Sequence, residues 1–204
     1  EGKNEGVMSD GYASWGAALA LSPADGTLWV VNPDAGSVTV MNEQPFELLE
    51  EIVVGEEPWS LVISPNGNSI YVADRAAGQV VVIDAAARSV RARVVVGAEL
   101  GAIALNRTGS RAYITSTATD EVVMMDTDTL EVVSRLSVAA KPYAIAVTDD
   151  GDGDDEDERL YVTHFLALQR AGGVPATDNG REGRLSVLDA GTGALLADFA
   201  GQVS

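Results

Sequence analysis

The sequence predicts an all-β fold made of four copies of one repeat, each copy forming a four-stranded antiparallel sheet. An aromatic residue recurs every 42 residues, as Trp29, Tyr71 and Tyr113. Each copy also offers four runs of about five to seven residues rich in Val, Ile, Tyr and Thr, separated by Gly, Asn, Asp and Pro turns. No segment carries an apolar stripe of 3.6-residue period, so we expect almost no helix. A fixed period in this range indicates a repeat architecture.

The repeats follow a polar lead-in segment over residues 1–14 and occupy the rest of the chain, 15–204. Their approximate bounds are 15–58, 59–100, 101–142 and 143–204. In the first copy, strands are predicted at 18–22, 27–32, 37–42 and 46–54, and the second and third copies repeat this order. In the fourth copy, the opening strand is followed by strands predicted at 159–165, 184–189 and 194–200. The four copies therefore form one array rather than separate domains.

The first strand of each copy alternates large and small apolar residues. In the second copy Leu61 and Ile63 occupy one face, and Ser60 and Val62 occupy the other. Successive side chains of a strand point to opposite faces, so two apolar faces mean that both sides of the sheet are covered. Sheets that stack closely in this way are typical of the blades near the axis of a propeller.

A four-residue motif in the second strand of each copy resembles the YVTN β-propeller repeat. The motif follows a Ser-Pro-x-Gly-like turn, precedes a Val-x-Val-x-Asp strand, and occurs at 29–32, 71–74, 113–116 and 161–164. The resemblance covers about residues 15–200 and implies a β-propeller located in the periplasm or at the cell surface. YVTN propellers usually close with seven blades. We therefore expect these four blades to belong to a larger ring, completed by further blades or a protein partner, with a four-bladed ring as the alternative.

Composition excludes several function classes. The formal net charge of −18 opposes binding to nucleic acid, because phosphates would be repelled. The absence of cysteine excludes disulfides and thiolate ligands in this chain. No apolar run approaches the roughly 18 residues of a membrane helix, so we expect no direct membrane insertion. No catalytic motif is present, and no catalytic residue is predicted.

The fourth copy carries two insertions, predicted to lie on opposite rims of one blade. Residues 149–158 are mostly acidic, and Asp150, Asp152 and Asp154 have the alternating spacing of a calcium loop. The alternative is a solvated acidic turn without a cofactor. Residues 165–183 begin apolar and become polar, which predicts a partner-docking loop or a loop folded over its own blade. The predicted partner-binding residues are Phe165, Leu166, Leu168, Arg170 and Arg181.

A second candidate site lies where the links between blades approach the axis. Trp59 and Tyr143 hold equivalent positions there, and they could line the channel mouth with Lys141 and His164. The alternative is that the two aromatic residues wedge between blades. His164, the single histidine, could equally be a hydrogen-bonding residue at the end of its strand.

These observations favour a non-enzymatic, extracytoplasmic propeller that serves as a scaffold for protein–protein interaction. Docking is expected through the rim loops of the fourth blade. One alternative is the propeller portion of a periplasmic haem- or quinone-linked redox enzyme whose catalytic residues lie outside this chain. Another is a structural module of a cell-surface layer. A propeller fold alone does not distinguish these functions.

Overall fold

The computed structural model describes residues 14–152, 154–155, 157–165, 168–169, 172, 174 and 181–202 of the chain. The predicted lead-in therefore lies outside the described residues, except for Ser14. Regular structure within them is β-strand, apart from one 3-10 turn at Pro33–Ala35. No helix among them is long and apolar enough to cross a membrane. The strands form four antiparallel sheets in chain order, which confirms the predicted all-β architecture of repeated blades.

The first three blades each contain four strands, and strands that follow one another in sequence pair side by side. The chain enters at β1 (Ser14–Trp15). Blade one then comprises β2 (Leu19–Leu21), β3 (Thr27–Asn32), β4 (Ser37–Asn42) and β5 (Glu47–Val53). Blade two comprises β6 (Pro58–Ile63), β7 (Ser69–Asp74), β8 (Gln79–Asp84) and β9 (Ser89–Val95). Blade three comprises β10 (Leu100–Leu105), β11 (Arg111–Ser116), β12 (Glu121–Asp126) and β13 (Val132–Ser137).

The fourth blade is larger because both ends of its second strand lead into insertions. It comprises β14 (Pro142–Val147), β15 (Arg159–His164), β16 (Leu168–Gln169), β17 (Arg181–Asp189) and β18 (Leu195–Gln202). Strands β15 and β16 pair with one side of β17, and β18 pairs with the other. The first strands of neighbouring blades contact each other, β6 with β10 and β10 with β14, so they lie nearest the shared axis.

Carboxylates at the ends of the third strands hold the turns that follow them. The Asp126 Oδ1 accepts the N–H of Thr129 at 2.8 Å, and the Asp189 Oδ1 accepts the N–H of Thr192 at 2.7 Å. The backbone bond from Thr129 lowers the pKa of Asp126, and the hydroxyl of Thr192 lowers the pKa of Asp189. Bonds from an Asp carboxylate to backbone N–H groups a few residues ahead are typical of turns.

Three apolar cores fill the spaces between successive blades. The second-strand aromatics Trp29, Tyr71 and Tyr113 face the next blade and are 2%, 3% and 0% exposed. Large first-strand residues of the next blade pack in the same core. For example, Ile103 of blade three lies in one core with Tyr71 of blade two. The Tyr113 hydroxyl donates to the carbonyl of Ala190 at 3.0 Å, and burial raises the pKa of Tyr113 to about 12. The alternation seen in the sequence thus corresponds to blade stacking.

Each of the two end blades has one face against which no described blade packs. Blade one exposes Leu19, whose counterparts Leu61 and Ile103 are fully buried, and it also exposes Leu21. Blade four leaves Tyr161 half-buried and Phe199 exposed on its outer face. Large apolar faces of this kind usually require a cover. The expected total of about seven blades stays a prediction.

Residues 14–18 cross the axis, contact the inner strands of blades two, three and four, and lead into blade one. Strand β1 pairs with β14, placing Trp15 opposite Ala146. Ala17 then exchanges two backbone hydrogen bonds with Leu61, and the Ala18 carbonyl accepts the N–H of Val31. The segment therefore pairs with strand edges that would otherwise be open. The sequence did not predict this crossing.

Candidate functional site

An aromatic vestibule opens on one rim of the fold, where links between blades meet the turns between second and third strands. Its volume is about 340 Å³. Links and first strands contribute Glu57, Trp59 and Tyr143 to its walls, and turns contribute Arg75, Thr117 and Phe165. The vestibule brings together Trp59 and Tyr143 from the predicted channel mouth and Phe165 from the predicted docking loop.

Two ring contacts give the vestibule its shape. The guanidinium carbon of Arg75 lies 4.7 Å from the ring centroid of Trp59, a cation–π geometry. The rings of Tyr143 and Phe165 are 5.4 Å apart and tilted by 45°. Phe165 is 66% exposed even though its N–H donates to the carbonyl of Lys141 at 2.8 Å. A fixed backbone therefore presents this apolar ring to solvent.

Side chains from the repeated motif hold the backbone beneath the vestibule. The carboxylate of Asp74, in blade two, accepts the N–H groups of Glu56 and Glu57 at 3.2 and 3.0 Å. In blade three the hydroxyls of Thr115 and Thr117 donate to the carbonyls of Tyr143 and Pro142. These bonds satisfy backbone groups that would otherwise be unpaired, so the rim is preorganised.

A second cavity of about 320 Å³, here called the axial cavity, adjoins the vestibule and shares Trp59 and Tyr143 with it. Its other walls are mainly small or apolar residues, because the first strands carry their small residues on this side and the crossing segment contributes only glycine and alanine. The Ser60 hydroxyl in its wall donates to the carbonyl of Gly101 at 2.8 Å. The small wall residues are Gly16, Ala17, Ala18, Gly101, Ala102 and Ala144.

Lys141 and His164, the other predicted mouth residues, lie next to the vestibule and make protein contacts. The Lys141 amine donates to the carbonyl of Thr117 at 3.1 Å. The His164 Nδ1 lies 3.1 Å from the carbonyl of Ala140, and its Nε2 lies 2.9 Å from the Ser186 hydroxyl. His164 thereby fixes the link before β14, much as Asp74 fixes the link before β6. Within the described chain, neither Lys141 nor His164 lines the two cavities.

The residues around His164 do not form a catalytic triad. Ser186 lies between the histidine and Asp198, whose Oδ1 is 3.4 Å from the serine hydroxyl. In a triad the carboxylate instead bonds the histidine, and the serine is open to substrate. Ser186 is 0% exposed. This arrangement is a hydrogen-bonded chain, centred on the buried Ser186, that ties β15 to β17 and β18.

The rest of the predicted docking loop is only partly within the described residues. Leu166 and Arg170 lie outside them, as does the side chain of Leu168. The backbone of β16 pairs with β17, with Gln169 opposite Arg181. Arg181 is exposed. The insertion therefore begins at the vestibule with Phe165 and returns along the fourth blade.

The acidic insertion occupies the opposite rim and is attached to blade three. Arg107 bonds the carboxylate of Asp149 at 2.8 Å. The Asp155 Oδ2 accepts hydrogen bonds from Asn106 at 2.9 Å and from Thr108 at 2.5 Å. The two insertions thus emerge on opposite rims, as the strand order predicts.

Carboxylates converge within this insertion in a different set from the predicted one. Asp150, Asp157 and Glu158 bring carboxylate oxygens within 4.8 Å of one another. Asp152 instead accepts the N–H of Asp154 in a local turn. Desolvation, followed by repulsion from Asp150, Asp152 and Asp154, raises the pKa of Asp157. A calcium site at Asp150, Asp152 and Asp154 stays a prediction.

Comparison with known proteins supports the propeller fold. No protein-family model matches the sequence, and no curated protein matches it. The structure resembles Kuenenia stuttgartiensis hydrazine synthase with a TM-score of 0.73 at 18% identity, over 90% of this chain and 48% of that one. It resembles a Lactobacillus plantarum protein with a TM-score of 0.67 at 18% identity, over 93% and 57%. It also resembles a proposed 6-phosphogluconolactonase from Bacteroides uniformis, with a TM-score of 0.68 at 16% identity, over 93% of this chain and 56% of that one.

At such identities the likeness shows the fold alone. The chain spans less than two-thirds of the length of each of these solved chains. Sequence reasoning missed Arg75 and Thr117 as vestibule residues. The signal was present, because turns between second and third strands share a rim with the links.

Proposed function

We propose that this chain is a propeller module that recognises a protein partner through the rim containing the vestibule. The observation that carries the proposal is the exposed ring of Phe165 against Tyr143, in one vestibule with Trp59 and Arg75. Tryptophan, tyrosine and arginine are the residue types that most often dominate protein–protein binding energy. The hydrogen-bonded backbone under the rim supports this proposal, because a preorganised surface loses less entropy on binding.

A displayed random-peptide library panned against the full chain tests the proposal. We expect enriched peptides to lose at least about tenfold in affinity for Trp59→Ala and Phe165→Ser, the range of a hot-spot truncation. Phe46→Ser is the matched control, because Phe46 is 72% exposed in the turn between β4 and β5. Peptides that bind all three variants as well as the parent chain would contradict the proposal.

The kinship and location of the module form the finer part of the proposal. We place it with YVTN-type propellers outside the cytoplasm, on the motif at 71–74 and its counterparts. Fractionation of source cells followed by immunoblotting tests the location. Recovery of the protein in the cytoplasmic fraction would contradict it.

A second candidate function is the propeller portion of a larger enzyme. The likeness to hydrazine synthase, of which this chain spans 48%, favours it. Its catalytic groups would lie outside this chain. The intact mass and visible absorbance of the native protein test this candidate, since a colourless polypeptide of 21.2 kDa would contradict a haem-linked enzyme.

A further inference from the structure

We infer that the vestibule and axial cavity together bind the C-terminal residue of a partner peptide. Its large apolar side chain would enter the axial cavity, and its free carboxylate would pair with Arg75. The inference rests on the proposed function and adds the chemistry of the partner. Three features carry it: the orientation of Arg75, the local charge, and the form of the axial cavity.

Arg75 is held in place without an anionic partner. Its guanidinium carbon lies over the Trp59 ring, 4.7 Å from the ring centroid, and an arginine in such a cation–π contact keeps N–H donors that a carboxylate can bind. The ion pairs found among the described residues involve other arginines: Arg107, Arg135 and Arg184. No side-chain hydrogen bond joins Arg75 to another described residue. A carboxylate that enters the vestibule would therefore meet oriented donors.

The charge around the vestibule differs from that of the whole chain. The chain carries −18, whereas the vestibule walls carry one cation, Arg75, and one acidic residue, Glu57. The charge of the whole chain thus opposes an anionic group over the surface, and Arg75 offsets that repulsion within the vestibule. Such a contrast provides specificity by excluding other binding positions.

The axial cavity adds apolar space beside the vestibule. Trp59 and Tyr143 stand at the junction with the vestibule, and small residues behind them leave apolar space. The crossing segment contributes Gly16, Ala17 and Ala18 to the walls and pairs with inner strands on either side. A terminal side chain can fill such a space while its carboxylate stays at Arg75.

Fluorescence anisotropy with a labelled glycine-serine peptide that ends in phenylalanine tests the inference. We expect the free-carboxylate peptide to bind at least about tenfold more tightly than its C-terminal amide, as for other hydrogen bonds to charged groups. Arg75→Gln should bind the free-carboxylate peptide only as tightly as the parent chain binds the amide peptide. Its affinity for the amide peptide should equal that of the parent chain. Glu57→Gln should raise carboxylate affinity by about twofold to threefold, because repulsion is removed.

A second variant tests the apolar half of the site. Ala144 is exposed and lines the axial cavity, so Ala144→Leu fills space without changing charge. We expect this variant to bind the peptide that ends in phenylalanine at least about fivefold more weakly than the parent chain does. The affinity for a peptide that ends in glycine should fall by less, because the added leucine mainly prevents burial of an apolar side chain. Circular dichroism confirms that each variant retains its sheet signal.

The outcomes separate this inference from the proposed function. Library peptides that require Trp59 and Phe165 but bind equally as amides, or equally to Arg75→Gln, would overturn the inference and leave the proposed function standing. If an amidated peptide with an internal glutamate bound as tightly as the free-carboxylate peptide, a terminal carboxylate would not be required, and the inference would be wrong. Weaker binding to Glu57→Gln would indicate a cationic ligand and also overturn it.

Discussion

Two sets of aromatic residues in this fold differ in what surrounds them. Trp29, Tyr71 and Tyr113 sit in second strands and are almost completely buried between blades. Trp59 and Tyr143 sit in first strands, are half-buried, and border two cavities. Residues of the same type thus fill the blade interfaces in one place and line open cavities in the other.

The difference comes from the neighbours of each set. Tyr113 faces large residues such as Leu160 and Leu188 across the blade interface. Tyr143 lies instead beside Gly101, Ala102 and Ala144, which do not fill the space near the axis. The aromatic position with small neighbours is therefore the one that remains open to a ligand.

The largest expected effect separates the two sets by stability. Tyr113→Ala removes a buried ring and its hydrogen bond, so it should cost about 3–5 kcal/mol of unfolding free energy. Tyr143→Ala removes a half-buried ring at a cavity wall, and it should cost about 1 kcal/mol or less. Urea denaturation followed by circular dichroism measures both. Equal losses would show that Tyr143 is a packing residue, as the alternative interpretation of the sequence holds.

The next largest loss of stability is expected at Gly101, which lines the axial cavity. A Cβ at Gly101 would lie 2.6 Å from the Thr115 hydroxyl and 2.6 Å from the Tyr143 carbonyl. Gly101→Ala should therefore cost about 1–3 kcal/mol, since atoms must shift to admit the methyl group. Gly183→Ala is the control, because a Cβ there meets nothing within 4 Å. If the two variants had similar midpoints of urea denaturation, the close approach of Thr115 and Tyr143 to Gly101 would be contradicted.

Alkaline pH provides a smaller effect that is specific to Tyr113. Burial raises the pKa of Tyr113 to about 12, so its contribution to stability is complete below the ordinary tyrosine pKa of about 10. That contribution is lost as pH rises through about 12. Absorbance at about 295 nm should show a tyrosine ionisation at a pH of about 12.

Tyr113→Phe checks this assignment. The variant loses the bond to the Ala190 carbonyl, which should cost about 1 kcal/mol at neutral pH. It should also lose less stability than the parent chain between about pH 10 and 12. A late-ionising tyrosine that persists in the variant would assign the raised pKa to another residue.

The repeated features of the fold could be predicted from the sequence because each occurs several times. The 42-residue spacing of Tyr71 and Tyr113 fixed the blade period, and the alternation around Leu61 indicated that both faces of a sheet are covered. Turn carboxylates such as Asp126 follow from short-range hydrogen bonding. Strand positions and blade order therefore required no knowledge of long-range contacts.

The site could be predicted only in part, because it depends on features that occur once. Trp59, Tyr143 and Phe165 were candidates in two separate hypotheses, and the structure places them in one vestibule. Arg75 resembles any exposed turn residue in the sequence. The crossing of the axis by residues 14–18 depends on pairing with strands more than forty residues away, such as Leu61, which no local pattern encodes.

The smallest expected effect concerns Tyr161, the fourth member of the buried set by sequence position. Tyr161 is half-buried because no described blade covers its face. Tyr161→Ala should therefore cost only about 1 kcal/mol, well below the loss for Tyr113→Ala. A loss as large as that of Tyr113→Ala would mean that this face is covered in solution. Sedimentation of the parent chain would then distinguish the cover, since a second copy doubles the mass whereas a further blade of the same polypeptide leaves it monomeric.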